Sequence, residues 1–208
     1  MKLELQRIGI IGLGLIGGSL AAAVKSRRNS IKISAYDTDQ TALRRGLGDN
    51  LIDVACDSVQ EVADNSDLIV LAVPVNSAKA NLIQLADFKG IITDVGSVKA
   101  PLLASAREVF GDLAQVVPGH PIAGSEKHGV EAADANLFTD HKIILTPTSD
   151  TRPEVVERVA QLWTSLGAMV LMMDVQDHDR ILAQTSHLPH LLAYALVDLL
   201  AVENDDLA

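Results

Sequence analysis

The chain carries a glycine pattern whose spacing suits dinucleotide binding. Its glycines stand at positions 12, 14 and 17, directly after the apolar run 8–11, and Asp37 follows twenty residues beyond Gly17. The run predicts a buried strand, and the alanine-rich segment after the turn predicts a packed helix. Such a turn places a pyrophosphate at the helix N-terminus, where Asp37 can accept hydrogen bonds from ribose hydroxyls. The pattern therefore predicts a nicotinamide dinucleotide site.

The carboxylate of Asp37 favours NAD over NADP, because it would repel a 2′-phosphate. Arg44 and Arg45 lie close enough in sequence to keep NADP as the alternative. The carboxyl end of the apolar run 68–74 should also border the cofactor. The residues expected to contact the cofactor are Gly12, Gly14, Leu15, Ile16, Gly17, Asp37, Val73 and Pro74.

Two further residues are candidates for chemistry beside that cofactor. His120 lies among the prolines and glycines of residues 118–124, which predicts a rigid turn. A histidine there can accept a proton from a hydroxyl while hydride leaves the same carbon. Ser97 follows the apolar run 91–95, and we expect its hydroxyl to open a helix, to contact substrate, or both.

Short apolar runs alternate with helical patterns through residues 1–172. This alternation predicts an α/β fold with a doubly wound, mostly parallel sheet and helices on both faces. Thr151 and Glu154 have the spacing of a capping box and predict a helix start. The runs expected to form strands are residues 8–11, 31–36, 68–74, 91–95, 115–118, 142–146 and 168–172.

Composition restricts the class of protein. The chain has 208 residues and a formal net charge of −10, with no extended Lys or Arg cluster, so nucleic acid is not an expected partner. A single cysteine, Cys56, excludes an internal disulfide and fits a reducing compartment. No stretch reaches the roughly 20 apolar residues of a membrane span, and no leader pattern precedes the first strand. We therefore expect a cytoplasmic protein that does not bind membranes.

The C-terminal segment changes character at about Asp174, where a continuous helical pattern begins. Residues 188–202 are apolar on nearly every side, and a helix without a polar face must be buried. The few residues that follow cannot cover it. We therefore expect a homodimer through this segment, or a longer chain that supplies the cover.

Five segments together resemble the prephenate/arogenate dehydrogenase family of tyrosine biosynthesis. They are residues 12–17, 94–99, 119–126, 145–148 and 186–190, and they span nearly the whole chain. The resemblance implies a Rossmann-type domain over residues 1–172. It also implies that residues 173–208 begin an all-α dimerisation domain. Family members continue further and supply an arginine for a substrate carboxylate.

The resemblance also implies an activity and roles for particular residues. The reaction would be oxidative decarboxylation of prephenate to 4-hydroxyphenylpyruvate, or of arogenate to tyrosine, with reduction of NAD or NADP. His120 would take the proton of the ring hydroxyl, and Ser97 would orient His120 or that hydroxyl. His187 resembles a second histidine of the substrate pocket, and Ser125 and Glu126 correspond to its mouth.

Other interpretations stay open. A β-hydroxyacid-type dehydrogenase shares the cofactor domain but uses a lysine on a later helix, and no lysine follows Lys142. A dinucleotide-binding module or sensor without catalysis is a second alternative. A metal site at His187, His190 and residues 177–179 is disfavoured, because Pro189 disturbs the helical register and no cluster of acids or cysteines completes the ligand shell.

Overall fold

A parallel sheet forms the centre of the fold. The computed structural model describes residues 5–28 and 30–205, and within them this sheet has six strands in the order β3-β2-β1-β4-β5-β6. The strands are β1 (Arg7–Ile11), β2 (Lys32–Tyr36), β3 (Val54–Ala55), β4 (Leu68–Leu71), β5 (Ile91–Asp94) and β6 (Val116–Val117). The helices between them are α1 (Leu15–Arg27), α2 (Gln40–Gly48), α3 (Val59–Asp64), α4 (Val75–Gln84) and α5 (Ala100–Phe110). The predicted doubly wound fold is confirmed.

Alternate side chains of the central strands enter two apolar cores, one on each face of the sheet. In β1, Ile8 and Ile10 enter the core that α1 and α2 cover, whereas Ile11 enters the core covered by α3, α4 and α5. All three side chains are at most 1% exposed. Because both faces are buried, these strands appear in the sequence as continuous apolar runs and not as alternating patterns.

The chain leaves the central sheet after β6 and forms a second, smaller sheet. Its strands are β7 (Gly119–Pro121), β8 (Lys142–Leu145) and β9 (Met169–Met172), with β7 antiparallel and β9 parallel to β8. The prediction of a rigid turn at His120 was wrong, because His120 is in β7 and pairs with Ile144. The fixed φ of proline suits an extended edge strand, so Pro121 fits β7 without bending it.

Two helices begin elsewhere than predicted. Ser97 does not open α5, whose N-cap is Lys99. Thr151 does not cap α6 (Pro153–Ser165), because its hydroxyl donates instead to the carbonyl oxygen of Val116 at 3.1 Å. The predicted apolar face of α6 is confirmed by the burial of Val155, Val159, Leu162, Trp163 and Leu166.

The C-terminal segment is helical throughout its described part. It consists of α7 (Val175–Leu182), a π-helical turn (Ala183–His187) and α8 (Leu188–Asp205), and residues 206–208 of the expected helix lie outside the described residues. Pro189 explains the π turn, because its missing N–H and its ring prevent the regular hydrogen bond to the preceding turn. Apolar side chains of α8 are largely exposed, for example Leu191 at 65% and Tyr194 at 73%. The described chain therefore does not bury this helix.

No helix in residues 5–28 and 30–205 is both long enough and apolar enough to cross a membrane.

Candidate active site

The turn between β1 and α1 has the geometry of a phosphate-binding loop. Gly12 has a φ of +97°, and a Cβ there would overlap the carbonyl oxygen of Ala72. A Cβ on Gly17 would overlap the carbonyl oxygen of Gly12. Gly14 instead faces open space, and no side chain caps the N-terminus of α1. The N–H groups of that helix end can therefore hold an anion.

Asp37, directly after β2, is fixed against this turn. Its Oδ2 accepts a hydrogen bond from the N–H of Leu13 at 2.6 Å, and its Oδ1 accepts one from the N–H of Asp39 at 2.8 Å. The carboxylate lies on a cleft of about 340 Å³. Ser77 and Asn81 of α4 line the same cleft and were not predicted. The predicted residues that line it with Asp37 are Gly12, Gly14, Val73 and Pro74.

The two arginines considered for a 2′-phosphate have other partners. Arg44 Nη2 donates to the hydroxyl of Thr41 at 3.1 Å, and Arg45 Nε lies 3.2 Å from the carboxylate of Asp49. Asp37 is thus the charged group that the turn holds at the cleft, which favours a free ribose hydroxyl over a 2′-phosphate.

A second cleft, of about 670 Å³, shares the glycine turn and extends to the carboxyl end of β5. Glu126, next to Ser125, is exposed. Lys127 and His128 line this cleft and were not predicted. The predicted residues that the structure brings together here are Gly14, Leu15, Ile16, Val73, Pro74, Ser97 and Ser125.

His120 begins a chain of hydrogen-bonded side chains. Its Nδ1 lies 2.9 Å from Nε2 of His178, and the two rings meet edge to face with centroids 5.1 Å apart. His178 is fully buried in α7, and its Nδ1 lies 2.7 Å from Oδ1 of Asp179. The ring of His120 is thus held through Nδ1, and its Nε2 is left for another group.

The carboxylate of Asp179 caps α5 from a distant part of the chain. Its Oδ1 accepts from the N–H of Lys99 and its Oδ2 from the N–H of Ala100, both at 2.9 Å. Partial burial acts to raise the pKa of Asp179, but the hydrogen bonds from Ala100, His178 and Lys99 outweigh it and leave the pKa below its ordinary value. Asp179 is therefore ionised at neutral pH.

A buried ion pair fixes the strand that carries His120. Lys99 Nζ donates to Asp94 Oδ2 at 2.5 Å and to the carbonyl oxygen of Gly119 at 2.7 Å. Asp94 also accepts from the N–H of Gly119 at 3.0 Å and of Gly96 at 2.8 Å. Gly119, directly before His120, is thus held through both its N–H and its carbonyl oxygen. Asp94 connects it to Gly96, which lines the second cleft.

These surroundings keep His120 neutral. Burial lowers the pKa of His120 from 6.5 to about 4, any positive charge on Lys99, His178 or His187 would act in the same direction, and the charge of Asp179 opposes it. At neutral pH the imidazole therefore carries a lone pair that can accept a proton.

Comparison with known proteins identifies the family. The model of the prephenate dehydrogenase nucleotide-binding domain matches residues 20–172, and that of the prephenate dehydrogenase dimerization domain matches residues 174–208. The chain belongs to the prephenate dehydrogenase family. A cyclohexadienyl dehydrogenase of Zymomonas mobilis is 36% identical over 199 residues, which are 94% of this chain and 68% of that protein. A prephenate dehydrogenase of Lactococcus lactis is 35% identical over 201 residues, which are 93% of this chain and 53% of that protein.

Solved structures of the family have the same fold. The prephenate dehydrogenase of Aquifex aeolicus, crystallised with hydroxyphenyl propionate and NAD+, superposes with a TM-score of 0.90 at 34% identity. The match covers 97% of this chain and 71% of the Aquifex chain. The chain therefore spans about two thirds of some relatives and about half of others.

Residues that family resemblance singled out lie in different parts of this prephenate dehydrogenase fold. Ser97 and Ser125 line the second cleft, whereas His187 is half-buried in the π turn, near enough to interact electrostatically with His120. His190 Nδ1 lies 2.8 Å from the carbonyl oxygen of Ser186, within its own helix. Their roles toward substrate stay predictions.

Sequence reasoning missed the residues that support the histidine in this family member. His178 and Asp179 were considered only as metal ligands, and Lys99 and Asp94 received no role. Within the described residues, no group of three His, Cys, Asp or Glu side chains could hold a metal ion. The sequence contained one indication that His178 is buried, because it shares a helical face with the apolar residues Val175 and Leu182.

Proposed function

We propose that this chain catalyses the NAD-dependent oxidative decarboxylation of prephenate to 4-hydroxyphenylpyruvate, with arogenate to tyrosine as the alternative reaction. One observation carries the proposal: a neutral histidine, His120, lies on a strand that Asp94 connects by hydrogen bonds to the lining of the second cleft. Family membership and the NAD+ and hydroxyphenyl propionate in the Aquifex complex support the choice of cofactor and substrate class.

The glycine turn fits NAD. Gly14 leaves room for close approach of a pyrophosphate, the uncapped N-terminus of α1 offers N–H donors, and Asp37 offers carboxylate oxygens to a ribose. When bound, NAD would supply the acceptor for the hydride that leaves the ring carbon bearing the substrate hydroxyl. His120 takes the proton of that hydroxyl through Nε2 as the hydride departs. Loss of carbon dioxide then leaves the electron pair of the broken bond in the ring, and the ring oxygen takes a proton back to give the aromatic phenol.

In this proposal, the other predicted residues in and near the second cleft position the substrate. Ser97 orients the substrate hydroxyl or His120, and Ser125 and Glu126 border the entrance. His187 contacts the substrate from the π turn, where helices often carry functional residues. A second copy of the chain covers the exposed apolar side chains of α8 in a homodimer, which agrees with the match of residues 174–208 to a dimerization domain. The cytoplasmic location stays a prediction from sequence.

Turnover with purified substrates tests the function. Appearance of reduced nicotinamide should be followed with prephenate and with arogenate, for this chain and for a version extended through the rest of the helical domain. His120→Asn should lower kcat by about 10²- to 10⁴-fold, the usual contribution of a general base, with NADH binding little changed. An unaltered rate in this variant would remove His120 from the mechanism. Absence of turnover in both wild-type forms would refute the proposed substrates.

A further inference from the structure

We propose that Asp179 is a positioning residue that, through His178, holds His120 in the tautomer with its hydrogen on Nδ1 and its lone pair on Nε2. The proposal deepens the proposed function and rests on it, since it assigns how the base is prepared. It depends on three consecutive contacts: Asp179 with His178, His178 with His120, and Asp179 with the start of α5.

The carboxylate of Asp179 sets the direction of these hydrogen bonds. Asp179 accepts from the N–H groups of Lys99 and Ala100, and an ionised carboxylate has no hydrogen to donate. The N-terminus of a helix favours this negative charge. Nδ1 of His178, 2.7 Å from Oδ1, must therefore carry the hydrogen of that contact.

The hydrogen position on the His120 ring follows from that on the His178 ring. His178 is fully buried, and a positive charge on its ring would carry the cost of a buried charge. In a neutral imidazole with its hydrogen on Nδ1, Nε2 is an acceptor. Nδ1 of His120, 2.9 Å away, must then be the donor, and its own Nε2 has the lone pair.

The opposite tautomer would not work as a base at the same position. With hydrogen on Nε2, His120 could only donate to a substrate hydroxyl, and its lone pair would face His178. Asp179 therefore acts on the reaction without touching substrate. The groups that act on His120 from the surrounding elements are Lys99 before α5, His178 and Asp179 in α7, and His187 in the π turn.

Nitrogen NMR of the histidine rings reads the tautomers directly. In the full chain labelled with ¹⁵N-histidine at neutral pH, His120 and His178 should both show a protonated Nδ1 and an unprotonated Nε2. Loss of signals in His120→Asn assigns the first ring. A protonated Nε2 on His120 in the wild-type chain would overturn the proposal, and this measurement needs no substrate.

Asp179→Asn tests the role of the carboxylate. An amide at position 179 can donate to Nδ1 of His178 and reverse both tautomers, so kcat should fall by about 10²- to 10⁴-fold with less change in KM. Asp179→Glu, which keeps an acceptor, should recover part of the loss and the wild-type ring pattern. Asp174→Asn is the matched control. Asp174 caps α7 and accepts hydrogen bonds from N–H groups of that helix, so the variant loses the same charge nearby and should change kcat little.

The outcomes separate the two proposals. An Asp179→Asn variant with the wild-type ring pattern, or with a kcat no lower than that of Asp174→Asn, would refute the role of Asp179. The expected tautomers in a chain that turns over neither prephenate nor arogenate would support the proton arrangement while refuting the substrates.

Discussion

His120 can act as a base only if two conditions hold together, a free lone pair on the correct nitrogen and a neutral ring at working pH. Asp179 and His178 supply the first, and burial beside the ammonium of Lys99 supplies the second. Lys99 also donates to the carbonyl oxygen of Gly119 and so fixes the backbone that carries the ring. One buried cation thus affects both the position and the pKa of the base.

The lowered pKa of His120 makes stability depend on pH. The pKa is about 4 in the folded chain against an ordinary 6.5, so between these values the unfolded chain binds more protons. The contribution of His120 to stability is therefore complete above pH 6.5 and decreases as pH falls toward about 4. Allowing for solvent screening of a partly exposed ring, the loss should be on the order of 1 to 2 kcal/mol.

Urea unfolding of the wild-type chain and of His120→Asn, measured across this range, isolates the effect because other groups titrate alike in both. The free energy of unfolding should decrease more in the wild-type chain as pH falls. Parallel pH profiles for the two chains would show that His120 is not held neutral by its surroundings.

At the scale of single elements, sequence predicted those whose formation depends on local pattern. The runs for β1, β4 and β5 are largely apolar, and α6 has four buried apolar residues on one face. The predicted caps failed at Ser97 and Thr151 because the partners that decide them, Asp179 and Val116, are distant in sequence. His178 and His120 are likewise 58 residues apart, and no local pattern encodes their contact.

The turn between β1 and α1 allows a prediction that separates fold from cofactor binding. Gly14→Ala adds a methyl group where no atom lies within 4 Å, at a residue with an ordinary negative φ, so stability should be unchanged. The methyl group would nevertheless stand where a pyrophosphate approaches, and NADH affinity should fall roughly tenfold or more, which is about 1.4 kcal/mol.

Fluorescence titration with NADH and thermal unfolding measure the two quantities for Gly14→Ala. Gly48→Ala is the control, since its Cβ also meets open space but the position lies at the end of α2. If Gly14→Ala bound NADH as tightly as Gly48→Ala, the cofactor would not approach through this turn.

The whole molecule joins two segments whose contributions to the site differ. The nucleotide-binding part provides His120, Lys99 and the glycine turn, whereas α7 provides His178 and Asp179. The same C-terminal segment continues into α8, whose apolar side chains are exposed over residues 188–200. The helix that supports His120 is therefore continuous with the helix that the described chain leaves uncovered.

We expect a second copy of the chain to cover α8, and negative charges introduced into this helix should prevent that dimer from forming. Leu192 and Leu199 are 56% and 57% exposed, and full burial of each would stabilise an interface by about 1.5 to 3 kcal/mol. Leu192→Glu with Leu199→Glu should therefore convert a dimer to monomer in sedimentation velocity. Leu47→Glu, at another exposed leucine in α2, should leave the dimer intact. A dimer that persists with both glutamates in α8 would show that the interface lies elsewhere. A monomeric wild-type chain would show that something other than a second copy covers the apolar side chains of α8.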